Sequence, residues 1–126
     1  MDEDRGKIRN RERAAQLVDF SGMRVEKITP TDLDGLVEFH NKGYFLIELK
    51  LDGVLMPKGQ EIAIERLCDD LVRVKPKTIA VVARHETPLG RDIDCKSAIV
   101  DAVRECGRWI YPERTLTVGE AYAHWV

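Results

Sequence analysis

The stretch YFLIELK, residues 44–50, is an apolar run of strand length that nevertheless carries two charged residues. Side chains alternate along a strand, so we expect Tyr44, Leu46, Glu48 and Lys50 to share one face. Strongly charged side chains are rarely buried without a partner or a function. Glu48 and Lys50 therefore require a chemical explanation.

The residues before this stretch predict a β-hairpin. LDGLVEFH, residues 33–40, is a second run of strand length, and NKG, residues 41–43, fits a three-residue loop with Gly43 in the left-handed conformation. The two runs are therefore expected to pair as antiparallel neighbours.

The expected register of this hairpin brings a second carboxylate to the same face. A loop over residues 41–43 pairs His40 with Tyr44, which places Asp34 opposite Lys50 and diagonal to Glu48. A shift of one residue would move Asp34 to the opposite face, so the arrangement is a specific prediction.

Two carboxylates and an ammonium on one sheet face suit metal-assisted hydrolysis of a phosphodiester. Asp34 and Glu48 supply the oxygen ligands that Mg²⁺ or Mn²⁺ prefers, and Lys50 can position a water or offset developing charge. Asp32 competes with Asp34 as the first ligand, but its position favours a turn or cap. The structural alternative is a charged rim of the sheet, with Lys50 ending an edge strand.

Further along the chain, the pattern predicts a helix followed by a buried strand. GQEIAIERLCDDLVRV, residues 59–74, has apolar residues at helical spacing. TIAVVAR, residues 78–84, reads as a central strand that is covered on both faces and pairs in parallel through the helical crossover.

In the C-terminal third of the chain, the sequence allows two secondary structures for one segment. Residues 95–111 fit either a helix that ends at Gly107 or a hairpin that turns at Cys106 and Gly107. Thr117 and Glu120 match a capping box, so a short terminal helix is expected.

The stretch Thr29–Arg84 resembles the PD-(D/E)XK nuclease superfamily, with an Asp entering one strand, a hairpin, and Glu-x-Lys on the next strand. It looks like the small phage-type members and, more loosely, the Holliday-junction resolvases, whereas residues 115–126 are less specifically similar. The resemblance implies an α/β, restriction-endonuclease-like fold with an αβββαβ core and a mixed central sheet flanked by helices. It also implies one nuclease-like domain over residues 1–126, with its core at 29–84.

The resemblance also implies roles for individual residues. Lys50 would be the catalytic lysine, Gln60 would point back toward the site, and an acidic residue on the first helix would be Glu12. The implied metal ligands are Asp34, Glu48 and the Leu49 carbonyl. The related Gln-x-x-x-Tyr motif is not met, because Ile64 stands where Tyr would be.

The N-terminal segment is basic. Residues 5–20 are rich in helix formers with a weak apolar stripe, and we expect a basic helical segment over residues 1–22. Its positive charge suits a phosphate backbone, although a solvated helix face explains it equally well. The residues concerned are Arg5, Lys7, Arg9, Arg11 and Arg13.

The composition of the chain limits the classes of protein to which it can belong. A chain of 126 residues with 44% hydrophobic and 33% charged residues is expected to fold as one globular domain. Its three cysteines are widely spaced, which argues against a structural zinc site or a disulfide framework. We see no apolar run of membrane-spanning length, and expect a reducing, cytoplasmic setting.

The combined expectation is a Mg²⁺- or Mn²⁺-dependent nuclease that acts on DNA, with RNA as the second candidate substrate. Its small size favours a homodimer on branched DNA. The alternative is a non-catalytic nucleic-acid-binding or assembly module that keeps the nuclease fold. His85 and Glu86 follow the buried strand where α/β proteins bind ligands, but loop capping also explains them.

Overall fold

The computed structural model describes residues 6–126, and the chain divides into two units, Met1–Pro30 and Thr31–Val126. The helices are α1 (Arg11–Ala14), α2 (Lys58–Val74) and α3 (Val118–Trp125). The strands are β1 (Gly35–Phe39), β2 (Gly43–Leu51), β3 (Ile79–His85), β4 (Ile99–Glu105) and β5 (Arg108–Ile110). They form one mixed sheet in the order β1-β2-β3-β4-β5, so the protein belongs to the α/β class.

The N-terminal unit contains much less helix than the sequence suggests. The helix expected over residues 5–20 is restricted, in the part that the structure describes, to α1, and a 3-10 turn follows at Ser21–Met23. The apolar residues of the weak stripe are not buried, and Leu17 is 95% exposed. A helix without a buried face is marginal at this length, so the expectation of a continuous helix was wrong.

The β1–β2 hairpin is confirmed, with a register that differs from the expected one by two residues. Tyr44 pairs with Glu38 rather than with His40, and Gly35 pairs with Ile47. Because side chains alternate with a period of two, a shift of two residues keeps every side chain on its expected face.

The turn of the hairpin explains the shift. His40 and Asn41 both have positive φ, at 47° and 59°, and the Lys42 N–H donates to the Phe39 carbonyl at 2.8 Å. Gly43 therefore begins β2 instead of occupying a left-handed loop position. Glycine is required there for a different reason, because a Cβ would lie 2.8 Å from the Cβ of Lys77.

The β2-α2-β3 crossover is confirmed. β2 and β3 pair in parallel, with Phe45 beside Ile79 and Leu51 beside His85. One sheet face packs on α2, where Leu46 and Ala80 contact the cluster around Ile64 and Cys68. The other face packs on α3 through Phe45, Val81 and Trp125. The strand β3 is thus covered on both faces, as its sequence predicts.

The open question over residues 95–111 is decided in favour of the hairpin. β4 and β5 pair antiparallel, and Cys106 and Gly107 turn between them with φ of 49° and 78°. A short 3-10 turn, Cys95–Ser97, precedes β4. The terminal helix α3 is also confirmed, and Thr117 and Glu120 form its capping box.

The order of the elements follows the expected core in part. The described residues run β1-β2-α2-β3, and the segment 52–57 before α2 contains no strand, so two strands rather than three precede that helix. None of the helices within residues 6–126 is long and apolar enough to cross a lipid bilayer.

Thr78 joins the start of β2 to the start of β3. Its side chain is buried, and its hydroxyl accepts a hydrogen bond from the Tyr44 N–H at 3.1 Å. We expect Thr78→Val to lower the free energy of unfolding by about 1–3 kcal/mol, because the Tyr44 N–H loses its partner. Amide hydrogen exchange should show faster exchange at Tyr44 in this variant. Thr78→Ser keeps the hydroxyl and should retain the protection; equal exchange at Tyr44 in both variants would contradict the role of this bond.

Candidate active site

Asp34 and Glu48 lie opposite each other at the end of the β1–β2 hairpin. The ladder ends at Gly35 and Ile47, so Asp34 is the next residue along, opposite Glu48. The expected arrangement had placed Asp34 opposite Lys50 and diagonal to Glu48, and the two-residue shift in register corrects this. The carboxylate of Asp34 accepts a hydrogen bond from the Leu49 N–H at 2.7 Å, which fixes it against β2.

Glu48 is buried within the sheet face that α2 covers. The residue is 2% exposed and lies beside Val82 of β3. Its Oε1 lies 3.7 Å from the Nζ of Lys50. Its Oε2 is buried and has no hydrogen-bond partner among the described residues. Buried polar atoms are nearly always hydrogen-bonded, so an unsatisfied carboxylate oxygen indicates a missing partner or a functional role.

The environment of Glu48 disfavours its charged form. Burial in the first place, and then the neighbouring Asp34 carboxyl, raise the pKa of Glu48 from its ordinary value of 4.5 to about 8. The ammonium of Lys50 acts in the opposite direction but does not offset these effects. A cation at this position would restore the ionised form.

The backbone of Leu49 adds an oxygen on the same side. The N–H and the C=O of a residue in an antiparallel strand project toward the same neighbour. Since the Leu49 N–H points to Asp34, its carbonyl projects toward the same edge of β2, beyond the end of β1. The role of this carbonyl as a metal ligand, which the resemblance implies, stays a prediction.

Gln60 lies in the first turn of α2, on the helical stripe that contacts the sheet. It precedes the buried Ile64 by four residues, or about 5.4 Å of helix, and Ile64 packs against Leu46. Glu48 follows Leu46 by two strand residues, about 6.6 Å. Because α2 runs back along β2, this spacing predicts that half-buried Gln60 lies near the level of Glu48, and its role stays a prediction.

The predicted residues of the N-terminal unit are exposed where the structure describes them. Glu12 lies in α1 with an exposed side chain, and its role as a ligand stays a prediction. Arg5 lies outside the described residues. The other basic residues, all exposed, are Lys7, Arg9, Arg11 and Arg13.

The sequence analysis did not identify Arg84, the neighbour of Lys50 in the parallel ladder. Paired residues of parallel strands share a face, so Arg84 lies on the face of Glu48 and Lys50. Its guanidinium forms ion pairs with Asp101 and, at 3.5 Å, with Asp52. The charge that ends the apolar run TIAVVAR was the available signal.

The donor set fits a hard divalent cation held by few protein ligands. The described residues contain no group of three or more His, Cys, Asp or Glu side chains that could hold a metal ion. Asp34 and Glu48 are two carboxylates, and Mg²⁺ is commonly bound by one or two carboxylates while it keeps several waters. The unpartnered Oε2 of Glu48 is the observation that favours such a cation.

Comparison of the chain with known proteins found no match. No protein-family model matches the chain, no curated protein matches it, and no solved structure is similar to it at a significant level. The site must therefore be interpreted from its own geometry.

The raised pKa of Glu48 predicts a specific pH dependence of stability without metal. The folded state binds the proton of the Glu48 carboxyl more tightly than the unfolded state does. The contribution of this proton to the free energy of unfolding is therefore complete below pH 4.5 and is lost as the pH rises through about 8. In EDTA, we expect wild type to lose roughly 2–4 kcal/mol relative to Glu48→Gln over that range. Urea unfolding of both proteins between pH 4 and pH 9 measures the difference. Comparing the two proteins removes the contributions of other titrating residues, such as Asp69, whose pKa is lowered. A difference in stability that does not change with pH would contradict the burial of a titrating Glu48.

Proposed function

We propose that this protein is a divalent-metal-dependent nuclease that hydrolyses phosphodiester bonds, with DNA as its substrate. The observation that carries the proposal is the buried Oε2 of Glu48, which lacks a hydrogen-bond partner among the described residues and lies beside Asp34 and Lys50. Water-excluded carboxylates next to an ammonium are costly to stability, and such arrangements cluster at functional sites.

The proposal includes membership of the PD-(D/E)XK superfamily and its restriction-endonuclease-like fold. It is supported by the position of Asp34 opposite Glu48, the Glu-x-Lys on β2, and the crossover from β2 through α2 to a parallel β3. Over residues 6–126, the chain departs from the αβββαβ order in having two strands before α2 and only four residues in α1.

Asp34, Glu48 and the carbonyl of Leu49 would hold Mg²⁺ or Mn²⁺. Such an ion polarises a phosphoryl oxygen and lowers the pKa of a bound water. Asp34 is kept in place by the Leu49 N–H, so its orientation does not depend on the ion. Glu48 is held on a central strand whose two faces are covered, which excludes competing water from its carboxylate.

Lys50 supplies the positive charge of the site. Its side chain is 21% exposed, so the ammonium can reach both Glu48 and a substrate phosphate. In the proposed reaction it orients the attacking water or stabilises the charge that develops on the phosphoryl oxygens. Gln60, at the same level on α2, would orient the same water. The basic residues of the N-terminal segment would add affinity for the phosphate backbone.

Cleavage assays test this function. We expect cutting of linear, single-stranded or branched DNA in Mg²⁺ or Mn²⁺ and none in EDTA. Glu48→Gln, Asp34→Asn and Lys50→Ala should each lower the rate by about 100-fold or more, because each removes a group that acts on the reacting atoms. Asp70→Asn and Arg73→Ala are matched controls, since these residues form an exposed ion pair on α2, and both should retain the wild-type rate.

Thermal unfolding with Mn²⁺ tests the cation site without relying on activity. Mn²⁺ should raise the melting temperature of wild type and of Lys50→Ala, but not that of Glu48→Gln, because a cation stabilises the state that binds it. An equal rise in Glu48→Gln would place the cation elsewhere. DNA binding without cleavage under every metal condition would instead favour the non-catalytic module.

A further inference from the structure

A cleft of about 560 Å³ opens where β3 ends and β4 begins. Its walls come from the last residues of β3, from the connection that follows and from the start of β4. This volume is in the range of pockets that hold one small organic ligand, such as a single nucleotide. Its lining includes Arg84, His85, Pro88, Arg91, Asp94 and Ile99.

The cleft adjoins the candidate active site through the parallel pairing of β2 and β3. Arg84 and His85, which line it, are the ladder partners of Lys50 and Leu51. Neighbouring strands lie about 4.8 Å apart, so the cleft begins one strand spacing from Lys50. The Asp52 N–H donates to the His85 carbonyl at 2.8 Å, which holds the ends of the two strands together.

The lining is chemically mixed rather than cationic. Arg91 and His85 are accompanied by acidic residues and by apolar surface, whereas a site for phosphate alone would carry an excess of positive charge. Arg84 is already paired with Asp52 and Asp101 and forms a wall. The acidic and apolar members of the lining are Glu86, Asp92, Asp94, Pro88, Ala98 and Ile99.

The ring of His85 has one nitrogen that is occupied as an acceptor and one that can donate a hydrogen bond. Its Nδ1 accepts a hydrogen bond from the Thr87 N–H at 3.2 Å, so the neutral ring carries its proton on Nε2. Asp94 is held in place by the Ser97 hydroxyl at 2.8 Å and offers carboxylate oxygens as acceptors. Donors, acceptors and apolar surface within one small cleft match a nucleobase, which has a polar edge and apolar faces.

We propose that this cleft binds one unstacked nucleobase of the strand whose phosphate lies at Asp34, Glu48 and Lys50. The inference rests on the proposed nuclease function and specifies its substrate class: DNA with an unpaired nucleotide next to the scissile bond, either single-stranded or at a branch. A fully paired duplex would have to unstack a base first and would therefore bind more weakly.

Binding experiments in EDTA test the proposal separately from cleavage. The probes are a single-stranded oligonucleotide, the matching duplex and the same duplex with an unpaired flap, each carrying 2-aminopurine at successive positions. We expect the two unpaired probes to bind about tenfold more tightly than the duplex. The 2-aminopurine fluorescence should rise at one position, because that base leaves its stack.

Two independent variants locate the effect in the cleft. His85→Ala and Arg91→Ala should each weaken binding of the flap probe by about fivefold and reduce the fluorescence rise. Arg66→Ala, an exposed arginine of α2 that does not line the cleft, is the matched control and should bind as wild type does.

The outcomes separate this inference from the nuclease proposal. Equal affinity for all three probes with unchanged fluorescence overturns the base-binding cleft, even if metal-dependent cleavage is present. A fluorescence rise that both cleft variants reduce supports it, even if no DNA is cut. A rise that neither variant changes places the unstacked base elsewhere and overturns it.

Discussion

The parallel pairing of β2 with β3 is the constraint on which the candidate site depends. This pairing requires the crossover helix α2 on one face of the sheet, and α3 covers the other face. β2 thereby becomes an interior strand with two neighbours, and the side chains of its central part are buried or partly buried. The burial of Glu48 therefore follows from its position on β2 rather than from the contacts of its own carboxylate.

The cost of burying this carboxylate is visible in its surroundings. The nearest cation, Lys50, lies 3.7 Å away and does not compensate for burial and for the adjacent Asp34 carboxyl. A structural role for Glu48 would be served better by an apolar residue of similar size, since replacing buried charges in this way is often neutral or stabilising. The burial of this carboxylate therefore supports the proposed cation site.

The sequence predicted the alternating faces of β2, the crossover and the capped terminal helix, because each depends on a local pattern in the chain. It did not predict the hairpin register, which depends on left-handed His40 and Asn41 and on contacts from outside the hairpin. Lys75 donates to Asn41 at 2.7 Å and 2.9 Å, and Gly43 is set by Lys77. The exposed N-terminal segment was over-predicted as helix, since propensity was judged without a buried face. The burial of Glu48 could be suspected from its apolar neighbours, but the unpartnered oxygen requires coordinates.

The pairing of charges around the site indicates which basic side chain would be available to the proposed substrate. Arg84 lies beside Lys50 in the ladder, but Asp52 and Asp101 both bind its guanidinium, so its charge is largely neutralised within the protein. Lys50 faces a carboxyl whose raised pKa leaves it mainly protonated at neutral pH in the absence of a cation. A divalent ion that ionises Glu48 would bring two positive charges for the one negative charge that it creates. The site beside Lys50 would therefore gain net positive charge and would attract a phosphate. The same side chains that make the metal-free site unfavourable would thus favour the two ligands that the proposed reaction requires, a metal ion and a phosphodiester.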